Sequence, residues 1–194
     1  NSKLDGDGIR VFGRPPLNLV LVLDVSGSMN QPFSGSTGSK ISVAKDCVLA
    51  ILSQLKPDDA FGIVSFNDMT EVLQPLVSLS KMNQSAFKEL LAGVIAKEAL
   101  KWELVSDLII HNTANQDHIY FYLGYQAAAQ QFETHTEIEK EGRLNRIMFL
   151  TDAVPSTTED EQLRKYCAEW GAKNVHTTFV GIGVDFGVQV CLCV

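Results

Sequence analysis

Apolar and polar residues follow one another along this chain in two distinct patterns. Continuous apolar runs that stop abruptly at polar residues are typical of strands buried on both faces of a parallel sheet. Such runs predict strands at residues 17–23, 60–66, 146–150 and 175–184. Residues 70–79 are predicted to pair with the second of these strands in antiparallel orientation.

The segments between the strands carry apolar residues at helical spacing. They predict a helix at residues 41–55, a second from about Ala114 to Phe132, and a third that ends at a C-terminal cap on Gly171. Residues 83–110 are predicted to form one long helix or two abutting helices, with Gly93 as the break. This alternation predicts an α/β fold: a doubly wound, mostly parallel sheet with helices on both faces and one short antiparallel edge strand.

Composition and charge narrow the classes of function. Hydrophobic residues make up 45% of the 194 residues and charged residues 20%, which is the profile of a globular domain. No apolar run approaches the roughly 20 residues of a membrane helix. Sixteen Lys and Arg against 23 Asp and Glu give a net charge of −7 without a basic cluster. We therefore expect that the protein neither binds nucleic acid nor inserts directly into a membrane, and that it binds cations instead.

Cysteines and sequence signals bear on localisation. Four cysteines are too few for a disulfide scaffold, and Cys47 and Cys167 are expected to be buried free thiols. The sequon Asn83-Gln84-Ser85 is compatible with secretion. Because the chain starts at Asn1, we expect a processed or excised piece of a protein. We predict a secreted or extracellular location, with a cytoplasmic one as the alternative.

Polar side chains with metal-binding chemistry follow two of the predicted strands. Asp24, Ser26 and Ser28 follow the first, Asp152 follows a later one, and Thr113 lies at a junction of a loop and a helix. Parallel strands end at one edge of the sheet, so we expect these side chains to share one crevice. Oxygen ligands without imidazole or thiolate favour Mg²⁺, Mn²⁺ or Ca²⁺ over zinc or copper.

The charge of this ligand set predicts its function. Two carboxylates only neutralise a divalent ion, and neutral hydroxyls add no charge. The ion would therefore stay electrophilic and keep an exchangeable water, which a carboxylate from another molecule can replace. Three or four carboxylates would make a closed structural site instead.

Other interpretations of these segments have less support. The serines after the first strand would, in the alternative, satisfy the N-terminal amides of the next helix, and Thr113 would be a plain N-cap. Residues 35–41 lack the spacing of a phosphate-binding loop, and residues 180–183 lack the third glycine of a dinucleotide site. We expect the protein not to be an enzyme. The alternative is a metal-assisted hydrolase with His118 as the base.

The same residues carry a resemblance to a known family. The run Asp24-Val25-Ser26-Gly27-Ser28 after a buried strand, with Thr151-Asp152 after a later one, resembles the von Willebrand factor type A domain and its metal-ion-dependent adhesion site (MIDAS). Residues 57–66 and 181–186 look most like the inter-α-trypsin-inhibitor heavy-chain branch. The resemblance extends from about residue 16 to residue 186 and implies a Rossmann-like fold.

The resemblance also implies roles for the candidate ligands. The two serines would coordinate the ion directly, and the two aspartates would bind it directly or through water. The family threonine usually follows a Gly-Gly pair, and its best match here is Thr113 after His111-Asn112. A rival register places Asp117 in that position, which would add a carboxylate and make the metal less electrophilic.

The resemblance finally implies a domain organisation and a function. Residues 1–16 would be a lead-in segment, residues 17–186 the type A domain, and residues 187–194 a truncated or irregular tail in place of a last helix. The expected function is a divalent-metal-dependent adhesion or protein-binding module whose partner presents an acidic side chain. The alternative is a non-adhesive intracellular scaffold of the ubiquitin-ligase or complex-assembly type.

Overall fold

A computed structural model describes residues 3–4, 10–11, 14–33, 37–97, 120–134 and 142–183 of the chain. A short antiparallel pair is formed by Lys3–Leu4 (β1) and Arg10–Val11 (β2). The main sheet has five strands, in chain order Leu17–Asp24 (β3), Ala60–Phe66 (β4), Thr70–Ser78 (β5), Leu144–Thr151 (β6) and Val175–Gly181 (β7). The helices of the described ranges are Lys40–Gln54 (α1), Gln84–Gly93 (α2), Phe121–Thr134 (α3) and Thr157–Ala172 (α4).

The order of the strands confirms the predicted α/β fold. The sheet runs β5-β4-β3-β6-β7, with β3 parallel to both β4 and β6, and β6 parallel to β7. Strand β5 is antiparallel to β4 and forms one edge. The chain passes from β3 outward to β5 and returns on the other side of β3. A topological switch point therefore lies between β3 and β6, where such sheets bind their ligands.

Two hydrophobic cores cover the two faces of the sheet. Successive side chains of β3 point to opposite faces, as in any strand. Leu21 and Leu23 pack with helices α1 and α2, whereas Val20 and Val22 pack with helices α3 and α4. All four are fully buried. The continuous apolar run that predicted a strand buried on both faces is explained by this packing.

Side-chain caps define where three of the helices begin. The side chain of Ser39 accepts a hydrogen bond from the Ser42 amide at the start of α1, and Asn83 starts α2 in the same way. Ser156 and Glu159 form a reciprocal capping box at the start of α4. These caps satisfy amides that have no partner within the helix.

Two predicted helix boundaries are wrong. Helix α3 begins at Phe121, since the preceding residue, Tyr120, is not helical and its amide bonds to the Asn67 carbonyl, while residues 114–119 of the predicted helix lie outside the described residues. Helix α4 continues through Gly171, and Asn174 takes the left-handed conformation, with φ 62°, beyond its end. Asparagine tolerates that conformation better than most residues, so it replaces the expected glycine.

The predicted helix break and the predicted buried thiols agree with the structure only in part. Helix α2 ends at Gly93, which is the predicted break, but residues 94–97 are not helical, so the predicted long helix or directly abutting second helix is wrong there, and residues 98–110 lie outside the described residues. Cys167 is buried and Cys47 is half-buried, and both are free thiols. No helix in the described part of the chain is long and apolar enough to cross a membrane.

An ion-pair cluster closes the amino-terminal edge of the sheet. Asp59, just before β4, is fully buried and accepts two hydrogen bonds from Arg14, at 2.8 Å and 2.5 Å. It also accepts the backbone amides of Leu17 at 2.8 Å and Lys56 at 2.6 Å. Burial raises the pKa of Asp59, but Arg14 and the two amides outweigh it and hold the pKa below its ordinary value. This carboxylate therefore ties the start of β3 to the start of β4.

Candidate metal centre

Strands β3 and β6 bring the predicted acidic residues to one place. Asp24 is the last residue of β3, and Thr151 is the last residue of β6, directly before Asp152. The two strands are parallel neighbours with Leu23 opposite Leu150, so both strands end at the same edge. The site lies at the switch point of the sheet.

Asp24 is a fully buried carboxylate. One of its oxygens accepts the backbone amide of Ser26 at 2.8 Å, and the other accepts the hydroxyl of Thr151 at 2.5 Å. Burial raises the pKa of Asp24 above its ordinary value, the hydrogen bonds from Ser26 and Thr151 oppose this, and the negative charge of Asp152 adds to the rise. Among the residues that the structure describes, none of the ion pairs includes Asp24.

Ser26 and Ser28 connect the two aspartates, Ser26 through its backbone amide to Asp24 and Ser28 through its hydroxyl to Asp152. Ser26 Oγ and Ser28 Oγ are 3.0 Å apart, and Ser28 Oγ donates to Asp152 Oδ1 at 2.8 Å. The 3-10 turn Gly27–Asn30 follows Ser26, whose side chain makes no capping hydrogen bond to it. Ser26 therefore does not cap the turn that follows it, and Ser39 caps helix α1.

A lysine contacts the second aspartate. Lys40 Nζ lies 2.7 Å from Asp152 Oδ2, with the side chains 16% and 2% exposed, respectively. Lys40 is the first residue of helix α1, and its backbone amide bonds to the Gln31 carbonyl at 2.9 Å. A cation of the chain itself thus balances part of the charge of the site.

The donor set fits a hard divalent cation. It consists of oxygens only, from two carboxylates and from hydroxyls that now hold one another through hydrogen bonds. Within the described ranges no group of three or more His, Cys, Asp or Glu could form a metal cage. Among the described residues the arrangement therefore contains two carboxylates, and its buried Asp24 lacks a cationic partner in the same ranges.

Four of the five candidate ligands are brought together by the fold: Asp24, Ser26, Ser28 and Asp152. Thr113 lies outside the described residues, as do its rival Asp117 and the candidate base His118. The role of each residue as a metal ligand stays a prediction.

Sequence reasoning missed two residues of the site. Thr151 donates to Asp24, and its place at the end of a strand beside the motif aspartate was the available signal. Lys40 follows a loop that leaves the metal motif, and its sequence gives no local sign of a contact with a residue 112 positions away.

Comparison with known families gives a clear match. The model of the von Willebrand factor type A domain matches residues 19–154. The voltage-dependent calcium channel subunit alpha-2/delta-3 of Rattus norvegicus is 33% identical over 87 residues, which are 42% of this chain and 7% of that protein. The inter-alpha-trypsin inhibitor heavy chain H4 of Homo sapiens is 27% identical over 147 residues, 74% of this chain and 13% of that protein. The chain thus spans a small part of the length of these relatives.

A solved structure shares the fold. Proximal thread matrix protein 1 from the mussel byssus, with a zinc-occupied MIDAS motif, superposes with a TM-score of 0.59. It is 13% identical, and the match covers 87% of this chain and 38% of that chain. At this identity the likeness shows the common fold alone.

Proposed function

Because the chain belongs to the von Willebrand factor type A domain family, we propose that it is a protein-interaction module whose binding depends on a divalent cation. The observation that carries the proposal is the hydrogen-bonded connection between the two aspartates: the Ser26 amide donates to Asp24, the Ser26 and Ser28 hydroxyls are 3.0 Å apart, and the Ser28 hydroxyl donates to Asp152. It joins the ends of two neighbouring strands at the point where sheets of this topology bind ligands.

Asp24, Ser26, Ser28 and Asp152 would hold Mg²⁺, with Mn²⁺ or Ca²⁺ as substitutes. When bound, the ion would supply an electrophilic position that accepts a carboxylate from a partner protein. The zinc-occupied MIDAS motif of the mussel protein supports a divalent ion in this fold. The predicted preference for Mg²⁺ rests on the hard oxygen donors.

The surrounding residues prepare the site without supplying further negative charge. The Ser26 amide and the Thr151 hydroxyl each occupy one oxygen of Asp24 and so fix the orientation of its carboxylate. Ser26 is buried beside it, whereas Ser28 is exposed on the solvent side. A ligand group from a partner can therefore approach the site from the direction of Ser28.

We propose a partner that presents an acidic side chain, and a binding role rather than an enzymatic one. An acidic side chain is a ligand that a hard divalent ion with an open coordination position prefers. We also propose a secreted or extracellular location. The sequon residues Asn83, Gln84 and Ser85 are all exposed, as attachment of a glycan requires.

Calorimetry on the 194-residue chain tests the proposal. After EDTA treatment and dialysis, Mg²⁺ or Mn²⁺ should bind to one saturable site. Asp152→Asn should abolish this binding, whereas Asp46→Asn, which removes a charge from an exposed position on helix α1, should retain it. Absence of saturable binding in the wild-type chain would contradict the proposal and favour the metal-free scaffold.

A second titration tests the acidic partner. The metal-loaded chain is titrated with a hexapeptide that contains a single Glu, and separately with the same peptide carrying Gln. We expect only the Glu peptide to bind, and we expect EDTA to abolish its binding. Equal binding of the two peptides would contradict the role of a carboxylate.

A further inference from the structure

Lys40 is a charged residue of the site that the metal motif does not include. Its ammonium group contacts Asp152 Oδ2 at 2.7 Å, while Ser28 donates to Asp152 Oδ1 at 2.8 Å. The two oxygens of this nearly buried carboxylate therefore face different partners, one cationic and one neutral.

The fold fixes Lys40 from two directions. Its backbone continues from Ser39, which bridges to Pro32 and caps helix α1. On the other side lies Gly183, with φ 128°, where an added Cβ would be 3.3 Å from Lys40 Cε. The Ile182 amide bonds to the Thr151 carbonyl at 2.8 Å and so holds this segment against the site. The side chain of Lys40 thus passes between two anchored segments to reach Asp152.

The positive charge of Lys40 changes the net charge of the site when an ion is bound. Asp24 and Asp152 carry two negative charges, and Lys40 removes one of them. A divalent ion would then leave a net positive site, whereas without Lys40 the same ion would leave a neutral one. Positive charge repels the incoming metal and attracts the carboxylate of a partner, and in a half-buried site both effects are weakly screened.

We propose that Lys40 sets the balance between the two affinities of the site, an inference that rests on the proposed function. Lys40 weakens the affinity for the divalent ion and strengthens the affinity of the loaded site for an acidic ligand. It also serves as the counter-ion of Asp152 when no metal is bound. Lys40 is thus a positioning and specificity-determining residue, not a metal ligand.

The first test measures both affinities in Lys40→Met, which keeps the length of the side chain and removes its charge. We expect Mg²⁺ to bind about tenfold more tightly than to the wild type, because a repelling charge is gone. At saturating Mg²⁺ we expect the Glu hexapeptide to bind about threefold more weakly. Lys40→Arg keeps the positive charge, so both of its affinities should stay close to those of the wild type.

Lys45→Met is the matched control. Lys45 lies on the same helix and is half-buried, but its ammonium contacts the Ala92 carbonyl at 2.9 Å and not the metal centre. Removal of this charge should leave both affinities unchanged. An equal gain in Mg²⁺ affinity in both variants would overturn the inference, because the effect would then come from net charge alone.

The second test needs no metal. In EDTA, Lys40→Met should lower the melting temperature because Asp152 loses its counter-ion beside Asp24. The double variant Lys40→Met/Asp152→Asn should regain most of that loss. A double variant that is no more stable than Lys40→Met would overturn the counter-ion role.

The outcomes separate the two proposals. If the wild type binds Mg²⁺ and Lys40→Met binds it equally or more weakly, the inference about Lys40 is wrong and the metal-dependent module stands. If the wild type binds no divalent ion, the proposed function is wrong, and the inference falls with it.

Discussion

One fully buried aspartate lies at the amino-terminal ends of the parallel strands and another at their carboxyl-terminal ends, and the two have different hydrogen-bond partners. Asp59 at the amino-terminal edge accepts four hydrogen bonds, two of them from the guanidinium of Arg14. Asp24 at the carboxyl-terminal edge accepts one amide and one hydroxyl and, among the described residues, has no cationic partner. The pKa of Asp59 is lowered, whereas burial raises the pKa of Asp24.

The partners of the two aspartates distinguish a structural carboxylate from one suited to binding an ion. A buried charge is costly unless it is paired, and Arg14 together with two amides offsets that cost for Asp59 within the fold. For Asp24 the free-energy cost of burying the charge is not offset by a cation of the described residues, and a bound metal ion would offset it. The aspartate without a cationic partner among the described residues, not the one paired with Arg14, is therefore the candidate for metal binding.

The largest expected effect on stability is at the amino-terminal edge. Asp59→Asn should lower the free energy of unfolding by about 3 kcal/mol, because Arg14 loses its counter-ion and the amide group of Asn meets backbone donors. Urea denaturation measures this loss. Asp58→Asn is the control, since that neighbouring side chain is exposed. A loss of similar size in both variants would contradict the structural role of Asp59.

The metal should stabilise the protein through the opposite edge alone. At a hundredfold excess of Mg²⁺ over its dissociation constant, we expect the free energy of unfolding to rise by about 2.7 kcal/mol. Asp24→Asn should abolish this gain, because the site loses half of its negative charge, while Asp59→Asn should keep it. A gain that survives in Asp24→Asn would show that the metal binds elsewhere. Thermal melts with Mg²⁺ and with EDTA measure the effect.

Acid should weaken the amino-terminal edge. The pKa of Asp59 is below its ordinary value of 3.8, so its contribution to stability is present above that value and is lost as the pH falls through the pKa of the folded state. The difference in unfolding free energy between the wild type and Asp59→Asn should therefore be largest near neutral pH and shrink in acid. Urea denaturation in EDTA at a series of pH values tests this. A difference that is constant with pH would contradict it.

The smallest expected effect is at Ser28. Ser28→Ala should weaken Mg²⁺ binding about tenfold, because one neutral oxygen is lost while both carboxylates remain. The fold should be unaffected, since Ser28 is exposed. Ser42→Ala is the control at an exposed position of helix α1, and calorimetry compares the two. Equal affinities in the two variants would remove Ser28 from the ligand set.

The fold was predictable where burial on both faces leaves a continuous apolar run. Strand β3 shows this, since Leu21 and Val22 enter different cores and both must be apolar. The polar residues after β3 and β6 were equally informative, because topology places parallel strand ends together. The proximity of Asp24 and Asp152 could therefore be predicted from the sequence alone.

Other features depend on contacts that a local pattern does not contain. Helix α4 passes Gly171 and ends before Asn174, because either residue type can accept the left-handed conformation. Lys40 reaches Asp152 because Ser39 bridges to Pro32 and brings the start of helix α1 back to the strand end. Contacts between residues so far apart in the sequence leave no trace in the spacing or periodicity of apolar and polar residues.

Anomalous scattering from a crystal soaked in Mn²⁺ tests the central claim most directly. We predict one strong peak at the ends of β3 and β6, about 2.0–2.6 Å from the hydroxyl oxygens of Ser26 and Ser28 and beside the carboxylates of Asp24 and Asp152. A crystal of Asp24→Asn should lack the peak. A wild-type crystal with no peak at this edge, or with its strongest peak elsewhere, would contradict the claim that the unpaired aspartate marks a metal site.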